Sequence, residues 1–398
     1  MGQPKLKPNP KTPNSRTQRG LSQQAILISF ASVCVFLAVA YGVWALSKPP
    51  EPLTAGMPGV APAVEVPTVG APSVLPTVEA PTMTVGVPGV LPAVEVPTVE
   101  VPGVEGSASG IAELRSKPHL VFRSTAYGTS SGLMSVVPLD NPSATRMLTD
   151  LVCERAYITR EHGLCLDDVS AHIIDADMQI QHTIPLEGFP SRTRVSADGR
   201  YAAMTQFVSG HSYADSTFST QTNLIDLANN SVIANIEDFE VWRDDTLFGA
   251  PDFNFWGVTF AKDSNTFYAT LSTDNKMYLV LGDISKGSFT VVHEGIECPS
   301  LSPDNTRVAF KKKMDTPDDQ LIWNIAVLDL QTMEETMLAE TRHVDDQVEW
   351  LDNDHVMYGV AEQNPTQGIG DNLWVLPADG SGAPELFVFK GNSPTVIH

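Results

Sequence analysis

The sequence predicts an all-β, six-bladed β-propeller over residues 111–398, set behind one membrane-spanning helix and a proline-rich spacer. Three observations carry this prediction. A strand–turn–strand phrase returns along the C-terminal part of the chain, and long runs with a 3.6-residue apolar period are missing there. Nearer the N-terminus, an uncharged stretch leads into a repetitive, proline-punctuated segment.

Residues 1–24 form a basic tail with Lys5, Lys7, Lys11, Arg16 and Arg19 and no acid. Residues 25–46, AILISFASVCVFLAVAYGVWAL, carry no charge. At about 1.5 Å per residue they reach across the roughly 30 Å of a bilayer's hydrocarbon. Tyr41 and Trp44 stand at the far end, where aromatic rings favour the interface. After Lys48 the next basic residue is Arg115, so the charge bias puts the N-terminus in the cytoplasm and the rest outside. A single-pass signal-anchor in the cell membrane is therefore expected, with residues 25–46 in the lipid bilayer. The competing reading is a cleaved signal peptide, because Ala38-Val39-Ala40 has the small-x-small form of a cleavage site. Six further apolar residues after Ala40 favour the uncleaved anchor.

Residues 47–110 read as an extended linker. PGVAPAVEVPTV (58–69) returns as PGVLPAVEVPTV (88–99). Proline every few residues removes backbone donors and fixes φ, so neither helix nor sheet propagates from Pro49 to Gly106. A semi-rigid spacer is expected, reaching up to about 3.1 Å per residue.

The body repeats. SADGRYAAM (196–204), AKDSNTFYA (261–269), SPDNTRVAF (302–310) and WLDNDHVMYG (350–359) each join a polar Asp/Gly/Asn turn to a short β-rich run. TREHGLCL (159–166) is a fainter copy, and KPHLVF (117–122) reads as the second strand of another. Turn positions 116, 161, 198, 263, 304 and 352 lie 45, 37, 65, 41 and 48 residues apart, the spacing of four-stranded propeller blades. After the last unit SPTVIH (393–398) is still strand-like, so this tail is expected to return as the inner strand of the first blade and close the ring.

CPSLSPDNTRVAF, IAVLDLQTMEE and NLWVLPADGSGAPELF resemble the repeat of TolB-type, WD-like propellers, in which a proline–x–x–serine–proline–aspartate–glycine strand-turn opens each blade. Here Asn305 replaces the turn glycine, and asparagine also adopts left-handed φ. The order of basic tail, anchor, spacer and single propeller resembles TolB-like envelope proteins of actinobacterial type. That resemblance implies fold and compartment and no particular activity.

Lys+Arg total 25 against 47 Asp+Glu, a net charge of −22 that repels nucleic acid, so no nucleic-acid partner is expected. GTSSG (128–132) has the G-x-S-x-G form, yet it falls between two strands, where a hairpin loop is expected and not a nucleophile elbow. The nine histidines show no zinc spacing, and the acidic runs DADMQ (175–179) and DTPDDQ (315–320) lack the glycine-bearing calcium ladder. No catalytic residue, metal or cofactor is assigned.

Two insertions fill the 65-residue interval. SGHSYADSTFSTQ (209–221) brings His211, Tyr213, Asp215 and Phe218, and EDFEVWRDDTLFGAPDFNFWG (237–257) brings Trp242, Phe248 and Phe253. Aromatics beside charges suit a contact surface, so these seven form a candidate binding rim. The alternative is that Phe255 and Trp256 belong to an inner strand and the others pack beneath a long loop. AEQNPTQGIGDN (361–372) is a third loop of interest. Cys153 and Cys165 fall in one hairpin and are able to pair in an oxidising compartment, which leaves Cys298 as a buried thiol.

The sequence thus predicts a non-catalytic extracytoplasmic module that binds an envelope protein, peptide or glycan. The alternative is a hydrolase or lyase at the central opening, with His211, Tyr213 and Asp215 as first suspects.

Overall fold

A computed structural model describes residues 103–105, 108–208, 219–314, 321–364 and 368–398. The tail at 1–24, the expected anchor at 25–46, most of the linker and the run at 315–320 lie outside these residues. Among the described residues no helix is long and apolar enough to cross a membrane.

Six antiparallel blades surround an axis. Their inner strands, blade one to blade six, are Gly391–Ile397, Arg155–Ile158, Phe189–Val195, Asn254–Phe260, Glu297–Leu301 and Glu349–Trp350. Each contacts the next, and the sixth contacts the first. The C-terminal strand pairs antiparallel with His119–Ser124, from His119↔Ile397 to Ser124↔Gly391, so the tail closes the ring as its pattern predicts.

The apolar pattern explains why the blades stack. Leu120 and Phe122 pack towards blade six, while Val121 between them packs towards blade two. Ala202 and Met204 likewise face blade two, and Ala203 faces blade four. Successive side chains point to opposite sheet faces, and here both faces are covered. Apolar clusters of this kind fill each gap between neighbouring blades. Short continuous apolar runs such as HLVF (119–122) and RVAF (307–310) are therefore what the fold needs.

The turns also behave as their chemistry requires. Gly199, Ser264 and Asn305 occupy matching turn positions at φ +68°, +56° and +64°. Asp304 Oδ1 accepts from the Ser302 and Thr306 hydroxyls at 2.6 and 2.7 Å, which locks the reversal between strands one and two of blade five. The GTSSG stretch (128–132) connects strands His119–Ser124 and Leu133–Pro138 of blade one. DADMQ closes a hairpin in which Asp175 Oδ1 accepts from the Asp177 and Gln179 amides at 2.8 and 2.9 Å.

Two additions depart from a plain four-stranded plan. Gly103–Glu105 pairs parallel with Arg146–Leu148 on the outer edge of blade one, and Ala108–Arg115 is a helix. Regular structure thus begins before residue 111, inside the stretch read as linker. The last proline of that stretch is Pro102, so from Gly103 onward the backbone donors are restored. The helix is tied to blade two through Arg115, which reaches Asp177 at 3.2 Å and the Arg160 carbonyl at 3.1 Å. In blade four, the hairpin Glu240–Arg243 and Thr246–Phe248 adds two strands to the outer edge. Nine residues of the long 65-residue interval, 240–248, are this hairpin.

Glu237 sits in the 3-10 turn Ile236–Asp238 between blades three and four, with both carboxylate oxygens 3.0 Å from the Thr222 amide. Burial pushes its pKa from 4.5 up to about 8. Between these values the folded chain holds a proton that the unfolded chain has lost, so stability falls with rising pH. The contribution is complete below about pH 4.5 and gone above about pH 8. Glu237→Gln is expected to raise the melting temperature at alkaline pH by about 2–4 °C and to flatten the descent above pH 5. Superimposable melting–pH profiles for parent and variant would rule this out.

Candidate axial site

Every inner strand contributes its last two residues, from Tyr157 and Ile158 in blade two to Val396 and Ile397 in blade one, to one cavity of about 520 Å³ on the propeller axis. It opens where the inner strands end and the Asp-bearing turns begin. Arg160, Glu161, Asp198 and Lys262 stand among its lining residues.

Its floor is polar and closed. Arg194 of blade three reaches across to Glu349 of blade six, the opposite blade, and the pair is almost wholly buried. The remaining Arg194 donors meet the Ser300 hydroxyl at 3.1 Å and the Val348 carbonyl at 3.0 Å. With its amide turned so that the oxygen faces Arg194, Gln347 accepts from Nε and NH2 at 3.2 and 2.9 Å. Tyr157 donates its hydroxyl to Glu349 at 3.0 Å, and its ring lies 4.6 Å from the Arg194 guanidinium. Burial and then the Glu349 charge raise the Tyr157 phenol above its ordinary range, so it remains a donor. Burial also raises Glu349, against the charge of Arg194.

Two residues back along the same strand, Arg192 crosses the axis as well. It donates to the Asp345 carbonyl at 2.7 Å, and its NH2 lies 3.8 Å from the Asp345 carboxylate. The i, i+2 spacing of Arg192 and Arg194 puts both on one side of the strand, so two bridges block the axis at different depths. Lys311 joins Glu297 and Asp345 at 3.1 Å each.

The backbone is shaped to match. Gly257, Cys298 and Ser393, in the inner strands of blades four, five and one, all have positive φ at a break in strand register. A Cβ on Gly257 would stand 2.7 Å from the Cys298 Cα, so glycine is required where these two bulges meet.

The rim residues read from the sequence fall elsewhere. His211, Tyr213, Asp215 and Phe218 lie outside the described residues. Trp242 is 37 % exposed on the added hairpin at the outer edge of blade four, away from the axial cavity. Phe248 and Phe253 are half-buried and meet edge-to-face at 5.2 Å, and Phe253 continues to Phe255 at 6.0 Å. They pack on the blade-four core, the arrangement weighed as the alternative. Cys153 and Cys165 form a disulfide with Cα atoms 5.5 Å apart, linking the entrance of blade two to its second strand, and Cys298 is free and buried.

The axial residues Tyr157, Arg194 and Glu349 were not singled out from the sequence, although a signal exists. RTRVSADG (192–199) and VEWLDND (348–354) place charged residues inside strands that otherwise lead straight into the repeat turn. Charge in an inner strand points to the axis, but the partner across the ring lies 155 residues away.

No protein-family model matches the chain, and no curated protein matches it. Among solved structures it is similar to TolB from Acinetobacter baumannii, at 16 % identity and TM-score 0.49, covering 71 % of this chain and 67 % of that one. It is also similar to a putative TolB from Agrobacterium tumefaciens, at 11 % identity and TM-score 0.45 over 69 % and 90 %. A chain of a nidogen/laminin complex matches at 10 % identity and TM-score 0.49 over 70 % and 98 %.

Proposed function

We propose that this chain is a non-catalytic binding module, held outside the cytoplasmic membrane by residues 25–46 and taking a segment of an envelope protein at the axial cavity. The observation that carries this reading is the cavity itself, lined from all six blades and floored by groups already committed to one another. Its hydroxyls are engaged structurally. Tyr157 serves Glu349, Ser300 accepts from Arg194, Ser302 donates to Asp304, and Thr159 donates to the His162 carbonyl. Such a floor offers shape, hydrogen bonding and charge at its mouth, which suits recognition. The basic tail, apolar run and proline-rich spacer support the location, and the order of these parts resembles TolB-like envelope proteins of actinobacterial type.

The test is capture of partners from native membranes with tagged full-length chain after mild crosslinking, beside Ala197→Trp. Ala197 is an exposed turn residue lining the mouth, so an indole there obstructs entry without touching the core. A partner held by the parent and lost by the variant is expected. Equal recovery of every partner by both chains would remove the axial cavity as the docking site.

A further inference from the structure

We propose that Arg155 and Arg192, at the end of the axis opposite the cavity, form a receiving site for a single carboxylate, supplied by an aspartate or glutamate side chain of a protein ligand. The site is separate from the cavity and stands independently of the reading given above.

The two guanidiniums converge. Arg155 Nε and Arg192 NH1 both donate to the Ser191 carbonyl, at 3.1 and 3.0 Å, so two like charges are held around one neutral oxygen. Arg155 NH1 donates to a second backbone carbonyl, that of Glu154, at 2.9 Å. Among the described residues no carboxylate comes within ion-pair distance of Arg155. Arg192 is less exposed to this deficit, since its NH2 lies 3.8 Å from the Asp345 carboxylate and its side chain meets the Cys298 thiol, but its buried Nε has no acceptor. A guanidinium normally offers a planar fork that two carboxylate oxygens fill, and backbone carbonyls leave its charge unanswered.

The nearby acids are committed to other groups. Glu154 takes Arg123 at 3.0 and 3.1 Å, while Lys311 holds Glu297 and Asp345. Asp346 accepts the Gln347, Ser393 and Gly359 amides at 3.0, 3.1 and 3.2 Å, and Asp371 accepts from Asn392 at 2.6 Å. The Cys298 thiol supplies no counter-charge, because burial raises its pKa. Burial and then the charge of Arg192 push Arg155 below its usual range, against the nearby Asp346 carboxylate. Neither arginine is fully buried, and 11 % of the Arg192 side chain stays exposed.

The surrounding charge selects the ligand. Asp345, Asp346 and Asp371 stand close enough to repel a dianion, so a phosphate group fits worse than a carboxylate monoanion. A side chain on a peptide also gains contacts that free acetate lacks.

The test uses full-length chain labelled with ¹⁵N-arginine in detergent micelles, reading the Arg155 and Arg192 Nε–H resonances assigned through Arg→Lys variants. The probes are acetyl-Ala-Glu-Ala-amide, sodium acetate, sodium phosphate and sodium chloride at constant ionic strength. Saturable shifts are expected with the peptide at concentrations about tenfold below those for acetate, with phosphate weaker still. Arg155→Gln abolishes saturation at Arg192, Arg155→Lys weakens it about tenfold because the fork is lost, and Arg200→Gln, in an exposed turn of blade three outside the cavity lining, leaves it unchanged. Tighter binding of phosphate overturns the carboxylate assignment. Acetate binding as tightly as the peptide overturns the side-chain source, and linear shifts with every salt overturn the site.

Discussion

A chain ending at Lys390 is expected to lose cooperative thermal unfolding. The residues removed, 391–398, include Gly391–Ile397, the entire inner strand of blade one, and their loss strips the ladder from His119–Ser124. Ile397 leaves the cluster between blades one and two, and Val396 leaves the one between blades six and one. Two polar ties from blade one to blade six and the segment leading into it go as well, Asn392 to Asp371 at 2.6 Å and the Ser393 amide to Asp346 at 3.1 Å. Each lost ladder bond costs about 1 kcal/mol, and each apolar side chain about 1.5–3 kcal/mol. Their sum approaches the roughly 5–15 kcal/mol that stabilises an ordinary domain. Thr395→Pro is the milder version, removing one donor at a buried position paired with Val121. It is expected to lower the melting temperature by about 6 °C or more, followed by near-ultraviolet circular dichroism. A truncated chain that melts within about 2 °C of the parent would show that the ring does not depend on this closure.

The second large effect concerns the floor of the cavity. Glu349→Leu leaves Arg194 buried and unpaired beneath Tyr157, at a cost of about 3–5 kcal/mol and a melting temperature roughly 6–15 °C lower. Arg194→Met alone strands Glu349 in the same way. The double variant removes both charges, fills similar volume and is expected to recover most of the loss, because a buried ion pair contributes little beyond an apolar pair once desolvation is counted. A double-mutant cycle separates the outcomes. Strong coupling supports a pair that spans the ring, while additive losses would mean that the two residues act independently.

How much was legible beforehand follows from the range of each interaction. The Asp-bearing turns at 198, 263, 304 and 352 were readable because their hydrogen bonds join residues only a few positions apart. The same holds for left-handed Asn305, whose reversal is local. Closure by the tail was readable because blade one lacked an inner strand while SPTVIH had no other place in the count. The aromatic run near residue 250 reads both ways for the opposite reason. Phe248 and Phe253 look like surface aromatics beside acids, but the hairpin at 240–248 folds them against Phe255 and Tyr278. Composition does not distinguish a ring that covers a core from one that meets a partner.

Short-range chemistry and residue count were thus enough to specify blade number, turn positions and the closing strand. The axial residues needed the closed ring. Arg194 and Glu349, or Arg192 and Asp345, become neighbours only when blades three and six face each other across the axis, and nothing local in either segment encodes that meeting. The same closure sets the conditions at Arg155. Its charge lacks a carboxylate within ion-pair distance because the acids that blades five and six bring to the axis are already engaged, a balance that exists only in the assembled ring.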